Sequence, residues 1–232
     1  MSLQPAVVLL DPARRDQQIA DIAQRVPYYR DFGDRLWMRI DDDQAARFAA
    51  QGYQVQLYPD AELIALPAVV FHPPDENPAP PTGLEATPPT GDGTAYAIVL
   101  FAGPPQREWI AAARDLGAQL IHDLPGQAAI FRLSASAASD LGAQRFVAWW
   151  GWYHPGYAIS FLLCGRTEPY PSAGFHTLTV DASQVDGKQV GAFFFDDADP
   201  SALRTAAESA GAHVVMEAPG QLVVEIAATR IP

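Results

Sequence analysis

The sequence predicts an α+β chain of tandem β-α-β-β-α-β units, two complete and a third incomplete. Three observations carry that expectation. Apolar runs alternate between strand-like and helix-like spacing. One proline-rich segment separates the first unit from the rest. A duplication recurs at a fixed offset. Ala111-Ala112-Ala113-Arg114-Asp115-Leu116-Gly117-Ala118 returns as Thr205-Ala206-Ala207-Glu208-Ser209-Ala210-Gly211-Ala212, and Leu124-Pro125-Gly126-Gln127 as Ala218-Pro219-Gly220-Gln221. The offset is 211 − 117 = 94 in one block and 221 − 127 = 94 in the other, with no gap between them.

Taken in chain order, residues 1–71 form the first and faintest copy. Ala6 to Leu10 is apolar and reads as a strand. Asp11-Pro12 reads as an N-cap and first helical residue for a helix from Ala13 to Arg25. Arg35 to Ile40 alternates as a strand, Asp41 to Gln51 is a short helix closed by Gly52, and Tyr53 to Tyr58 is the last strand. Residues 72–94 are the proline-rich segment. Seven prolines from Pro73 to Pro89, with Gly83, Gly91 and Gly93, leave little to bury, so an extended surface spacer is expected, with an ordered loop as the alternative.

Residues 95–160 form the second unit. Tyr96 to Phe101 is a strand, Gly103-Pro104-Pro105 turns into a helix, and Trp109, Ala112, Ala113 and Leu116 give that helix one apolar face. Gly117 caps it, Ala118 to Asp123 is the next strand, and Pro125-Gly126 suits a type II turn into Ala128 to Leu133. Ser134 is the N-cap of a helix to Gly142, and Arg145 to Tyr153 closes the unit. That order is the ferredoxin-like plait. Residues 161–232 repeat it as Val190 to Phe195, helix Pro200 to Ala210, Ala212 to Glu217 and Gln221 to Ile226. Pro232 aligns with Ala138, so the second helix and fourth strand are missing and a sheet edge is expected to be open. Either the natural chain continues or another strand fills the slot. Phe175 to Val180 is a candidate filler, or it forms a hairpin with Gln189 to Phe195 across Asp186-Gly187.

Composition narrows the function classes. Hydrophobic residues are 49% and charged residues 18%, enough for real cores. The net charge is 15 − 27 = −12, which repels phosphate backbones and argues against nucleic acid. No apolar run nears the roughly 20 residues of a membrane span. Cys164 is the single cysteine, so no intramolecular disulfide or thiolate cluster can form. Met1-Ser2-Leu3-Gln4 reads as an engineered start, and Ala6 to Leu10 is too short for a signal core; the signal of a secreted parent would have been removed.

The most distinctive local feature is Phe146-Val147-Ala148-Trp149-Trp150-Gly151-Trp152-Tyr153-His154-Pro155-Gly156-Tyr157. As a strand it sends Phe146, Ala148, Trp150 and Trp152 one way and Val147, Trp149, Gly151 and Tyr153 the other. A plait covers one sheet face with its own helices, so one aromatic set must meet another unit, a partner or water. Trp149, Trp150, Trp152, Tyr153, His154 and Tyr157 are therefore the candidate contact residues. Catalytic signals are missing: the five histidines form no HExxH, and GxxxxGK[ST], GxGxxG and GxSxG do not occur. Asp41-Asp42-Asp43 and Asp196-Asp197-Ala198-Asp199 sit at helix starts, where the dipole favours acids. No metal, cofactor or catalytic residue is expected.

Tyr96 to Pro104, Trp109, Gly117-Ala118, Phe146-Val147-Ala148-Trp149-Trp150-Gly151 and Tyr153-His154-Pro155-Gly156-Tyr157 together resemble a region upstream of the catalytic domain in large bacterial subtilisin-like serine peptidases. The resemblance covers about residues 95–160 best. The family's Asp-Thr-Gly, His-Gly-Thr and Gly-Thr-Ser motifs are absent, so peptidase activity does not carry over. The resemblance implies a prodomain-like, secreted or cell-envelope role with a subtilisin-like catalytic domain as partner, by folding assistance, inhibition or docking. The alternatives are a small-molecule-sensing array of plaits and, more remotely, an acylphosphatase-like enzyme. Gly103-Pro104-Pro105-Gln106-Arg107 suits the last poorly, because its prolines lack N–H donors.

Overall fold

The computed structural model describes residues 3–73 and 75–231. Met1 and Ser2 of the expected engineered start, Pro74 of the proline-rich segment and Pro232 of the repeat alignment lie outside the described residues. The architecture is mixed α+β, built of small, mainly antiparallel sheets and short helices. The chain divides into two compact units, Met1–Leu63 and Ile64–Pro232. The boundary thus falls eight residues before the expected one at Phe71, because Ile64 to Phe71 pairs within the second unit.

The first unit runs β1 (Gln4–Leu9), α1 (Arg15–Ala23), β2 (Tyr29–Asp31), β3 (Arg35–Ile40), α2 (Asp42–Ala50) and β4 (Gln54–Leu57), with sheet order β2-β3-β1-β4. Alternation in β3 sends Leu36, Met38 and Ile40 into a core with Val8, Ile22 and Phe48. The α2 start follows its sequence: Asp41 and Gln44 form a reciprocal capping box. The α1 start does not. The Asp11 carboxylate accepts from the Ala13 N–H, and the Asp11 N–H donates to Gln18, so the intervening residues are spent in a turn and the helix begins at Arg15. The three-residue β2 lay outside the sequence reading.

The second unit opens with β5 (Ile64–Ala65) and β6 (Val69–Phe71). It continues with β7 (Ala95–Phe101), α3 (Arg107–Asp115), β8 (Gln119–Asp123), β9 (Ala128–Leu133), α4 (Ala135–Gly142) and β10 (Val147–Trp152). Then follow β11 (Tyr170–Pro171), α5 (Ala182–Val185), β12 (Gln189–Phe193), α6 (Pro200–Ser209), β13 (His213–Ala218) and β14 (Gln221–Glu225). They make three sheets, ordered β10-β7-β9-β8, β11-β6-β5 and β12-β14-β13. In the four-stranded sheet Val99, Phe101, Phe131 and Leu133 face α3 and α4, while Ile98, Leu100 and Ile130 face Ile64, Phe71, Tyr157 and Phe175. Both faces of its central strands, β7 and β9, are therefore covered. Burying one such side chain is worth about 1.5–3 kcal/mol.

The two hairpins that match in sequence also share a backbone feature. Strand β8 is bulged between Leu120 and His122, and β13 between Val214 and Met216, an offset of 214 − 120 = 94. Beyond that hairpin the offset changes. Phe101 N–H donates to the Gln127 carbonyl, whereas Phe194 N–H donates to the Gly220 carbonyl. Gln127 therefore occupies the place of Gly220, and 220 − 127 = 93: the turn in the third copy is one residue tighter than the ungapped sequence match implies. Neither expected filler strand forms. Ser172–Thr177 is a 3-10 helix that buries Phe175, and α5 precedes Gly187, so the slot beside β12 has no strand among the described residues.

Candidate functional site

The aromatic segment of β10 divides nearly as its alternation dictates. Trp150, Trp152 and Phe146 join the core under α3 and α4, and Trp149 and Tyr153 join the opposite core. Val147 is the exception. A bulge between Val147 and Trp149 turns it to the helix side with Phe146. Glycine makes room twice. A Cβ on Gly142 would stand 2.2 Å from Trp150 Nε1, and one on Gly151 2.7 Å from the Trp149 ring. Trp149 meets Phe71 edge-on at 5.8 Å, and Trp150 meets Trp152 at 5.4 Å.

The remaining candidates, His154 and Tyr157, form a clasp. His154 Nδ1 accepts the Ala86 N–H at 2.8 Å, the Gly156 N–H donates to the Leu84 carbonyl at 3.2 Å, and the Tyr157 hydroxyl donates to the Pro78 carbonyl at 2.8 Å. Together these bonds hold the proline-rich segment down at three points. It is an ordered strap, not a spacer: Leu84 is buried, and a Cβ on Gly156 would touch Leu84, Pro80 and Phe175. An Nδ1 that accepts leaves the neutral ring's proton on Nε2. Burial lowers the His154 pKa, with Glu85 opposing. Tyr157 is 1% exposed, and burial pushes its hydroxyl up to about 12. Tyr153, also raised by burial to about 12, packs edge-on against Tyr157 at 6.1 Å. Of the six candidates, Tyr157 lies in the core and the other five are partly buried.

The β12-β14-β13 sheet is tied to the four-stranded sheet by residues just beyond β12. Phe195 sits 4.8 Å from Tyr96 and 5.9 Å from Tyr153, ring to ring. Asp197 accepts the Tyr96 hydroxyl at 3.0 Å and pairs with Arg132 at 2.9 Å. The sequence placed this acidic cluster at a helix start. Asp199 does cap α6, but Asp197 is spent on the tie. What this sheet leaves uncovered is its other face, with Phe193 79%, Met216 50% and Val215 43% exposed. Nothing in the sequence distinguished Phe193 from its two phenylalanine neighbours until the strand register was known.

Among the described residues, no three His, Cys, Asp or Glu side chains gather as a metal site. A polar cleft of about 300 Å³ in the first unit is lined by Arg14, Gln17, Gln18, Asp21, Gln51 and Tyr53, with Tyr53 donating to Asp21 at 2.6 Å. A family model described as a domain of unknown function, DUF8729, matches residues 65–154. That match takes in β6, the strap and the four-stranded sheet as one stretch. No curated protein and no solved structure matches the chain.

Proposed function

We propose that the chain is a non-catalytic, prodomain-like region of a subtilisin-like peptidase, built of ferredoxin-like plaits and acting by protein–protein contact. The sheet orders support the plait reading: in β2-β3-β1-β4 and β10-β7-β9-β8 the first strand of each copy lies between its third and fourth. The observation that carries the role is the 95–160 pattern. The residues that make it resemble the peptidase region are spent on the core and the clasp, so the pattern is the signature of a scaffold rather than of a reaction centre. A scaffold that binds a folded partner stabilises it by mass action.

The test mixes the chain with the separately produced catalytic domain of the parent peptidase. The expected result is a complex by calorimetry, with either slower peptide hydrolysis or a higher refolding yield. No binding, with no effect on either readout, refutes the role.

A further inference from the structure

The open edge of β12 fits a second copy of this chain. In the other two copies the first strand is central: β1 pairs with β3 and β4, and β7 with β9 and β10. Strand β12 pairs with β14 alone among the described residues. Phe194 N–H points to β14, and strand groups alternate, so the N–H and C=O of Gln189, Gly191 and Phe193 point to the open side. Gln189, Gly191, Ala192 and Phe193 are all exposed.

Edges usually carry a device against pairing. Strand β2 has Arg30 and Asp31, β8, β10 and β13 are bulged, and β4 turns Gln54 and Gln56 outward. Gln189-Val190-Gly191-Ala192-Phe193 has no charge, no proline and no bulge.

We propose that two copies pair antiparallel through β12, with the two-fold axis at Ala192. This register sets Gly191 of each copy opposite Phe193 of the other and exchanges about four backbone hydrogen bonds. The small–large pair is favourable, since an aromatic ring can cover a cross-strand glycine. The same register brings Lys188, the only lysine in the chain, opposite the segment that carries Asp196 of the other copy. That reciprocal charge match selects this register and makes the contact self-complementary. The pairing joins two three-stranded sheets into one of six and places the two bare faces, with Phe193 and Met216, side by side. An interface this short is of the weak class.

The chain alone is examined by light scattering from about 1 µM to 1 mM, the span in which a weak interface fills. The mass should rise from 25.1 kDa towards 2 × 25.1 = 50.2 kDa. Gly191→Pro removes an outward N–H, and Phe193→Lys charges the edge; each should leave the circular dichroism unchanged and hold the mass at one chain. Lys188→Glu should weaken the dimer, and adding Asp196→Lys should restore it. A monomer across the whole range, or a dimer that survives both edge variants, overturns the proposal. No catalytic domain is present, so either result is independent of the peptidase reading.

Discussion

The β8–β9 and β13–β14 hairpins carry a bulge at the same place, yet their sheets end up in opposite conditions. Strand β7 lies between two strands, and its Ile98 and Leu100 are fully buried in a core closed by β5, β6, Tyr157 and Phe175. The residues in the same places on β12, 93 further on (98 + 93 = 191 and 100 + 93 = 193), are Gly191, exposed, and Phe193, 79% exposed. Turns, caps and bulges set the local course of both copies. What differs is the cover, which comes from residues outside the sheet: β5, β6, Tyr157 and Phe175 in one case, and none for the outer face around Phe193 in the other. Local signals therefore fix how the repeat is drawn, and distant ones decide which copy is a core and which is a surface.

Substitutions can break this contrast. The largest effect is expected at the covered strand. Leu100→Ala should cost about 2–5 kcal/mol in chemical denaturation, since the cavity is walled on all sides. Next comes the clasp. Tyr157→Phe should cost about 1–2 kcal/mol, because the Pro78 carbonyl loses its donor in a buried place, and limited proteolysis should cut the strap faster. Asp197→Ala should cost about 1 kcal/mol and loosen the third sheet from the second, read as faster amide exchange at Tyr96 and Phe195.

The clasp also has a pH dependence. Folding holds His154 neutral by burial and by the Ala86 N–H on its Nδ1, and Glu85 only partly opposes this. The unfolded ring takes a proton near pH 6.5, the folded ring only at lower pH. The stability from this group is thus present above about pH 6.5 and is lost as pH falls below it towards the folded value. Amide exchange at Ala86 should quicken over that interval, and His154→Gln should flatten the change. The smallest effect is expected at the bare face, where Phe193→Ala should shift stability by less than about 0.5 kcal/mol.

Much of this was legible in the sequence. The strands β7 to β10 and β12 to β14, the Ser134 cap and the division of Trp149 from Trp150 all follow from period, turn chemistry and capping. The strap was not. Its prolines describe an extended chain correctly but say nothing of where it lies, which is set by His154, Gly156 and Tyr157 about 70 residues later. The one-residue change of offset was invisible because Gln127 and Gln221 match by letter while their hydrogen bonds do not. Asp197 was hidden in a cluster whose bland reading, acids at a helix start, is right for Asp199 two residues on.

Amide hydrogen exchange, at a concentration where the chain is monomeric, tests the contrast most directly. Ile98 and Leu100 should be protected, because β10 takes their outward groups. On β12, Val190 and Ala192 should be protected by β14, while Gly191 and Phe193 exchange quickly. Gly191 and Phe193 amides as slow as those of Ile98 and Leu100 would contradict the account, since they would mean that the slot beside β12 is already filled.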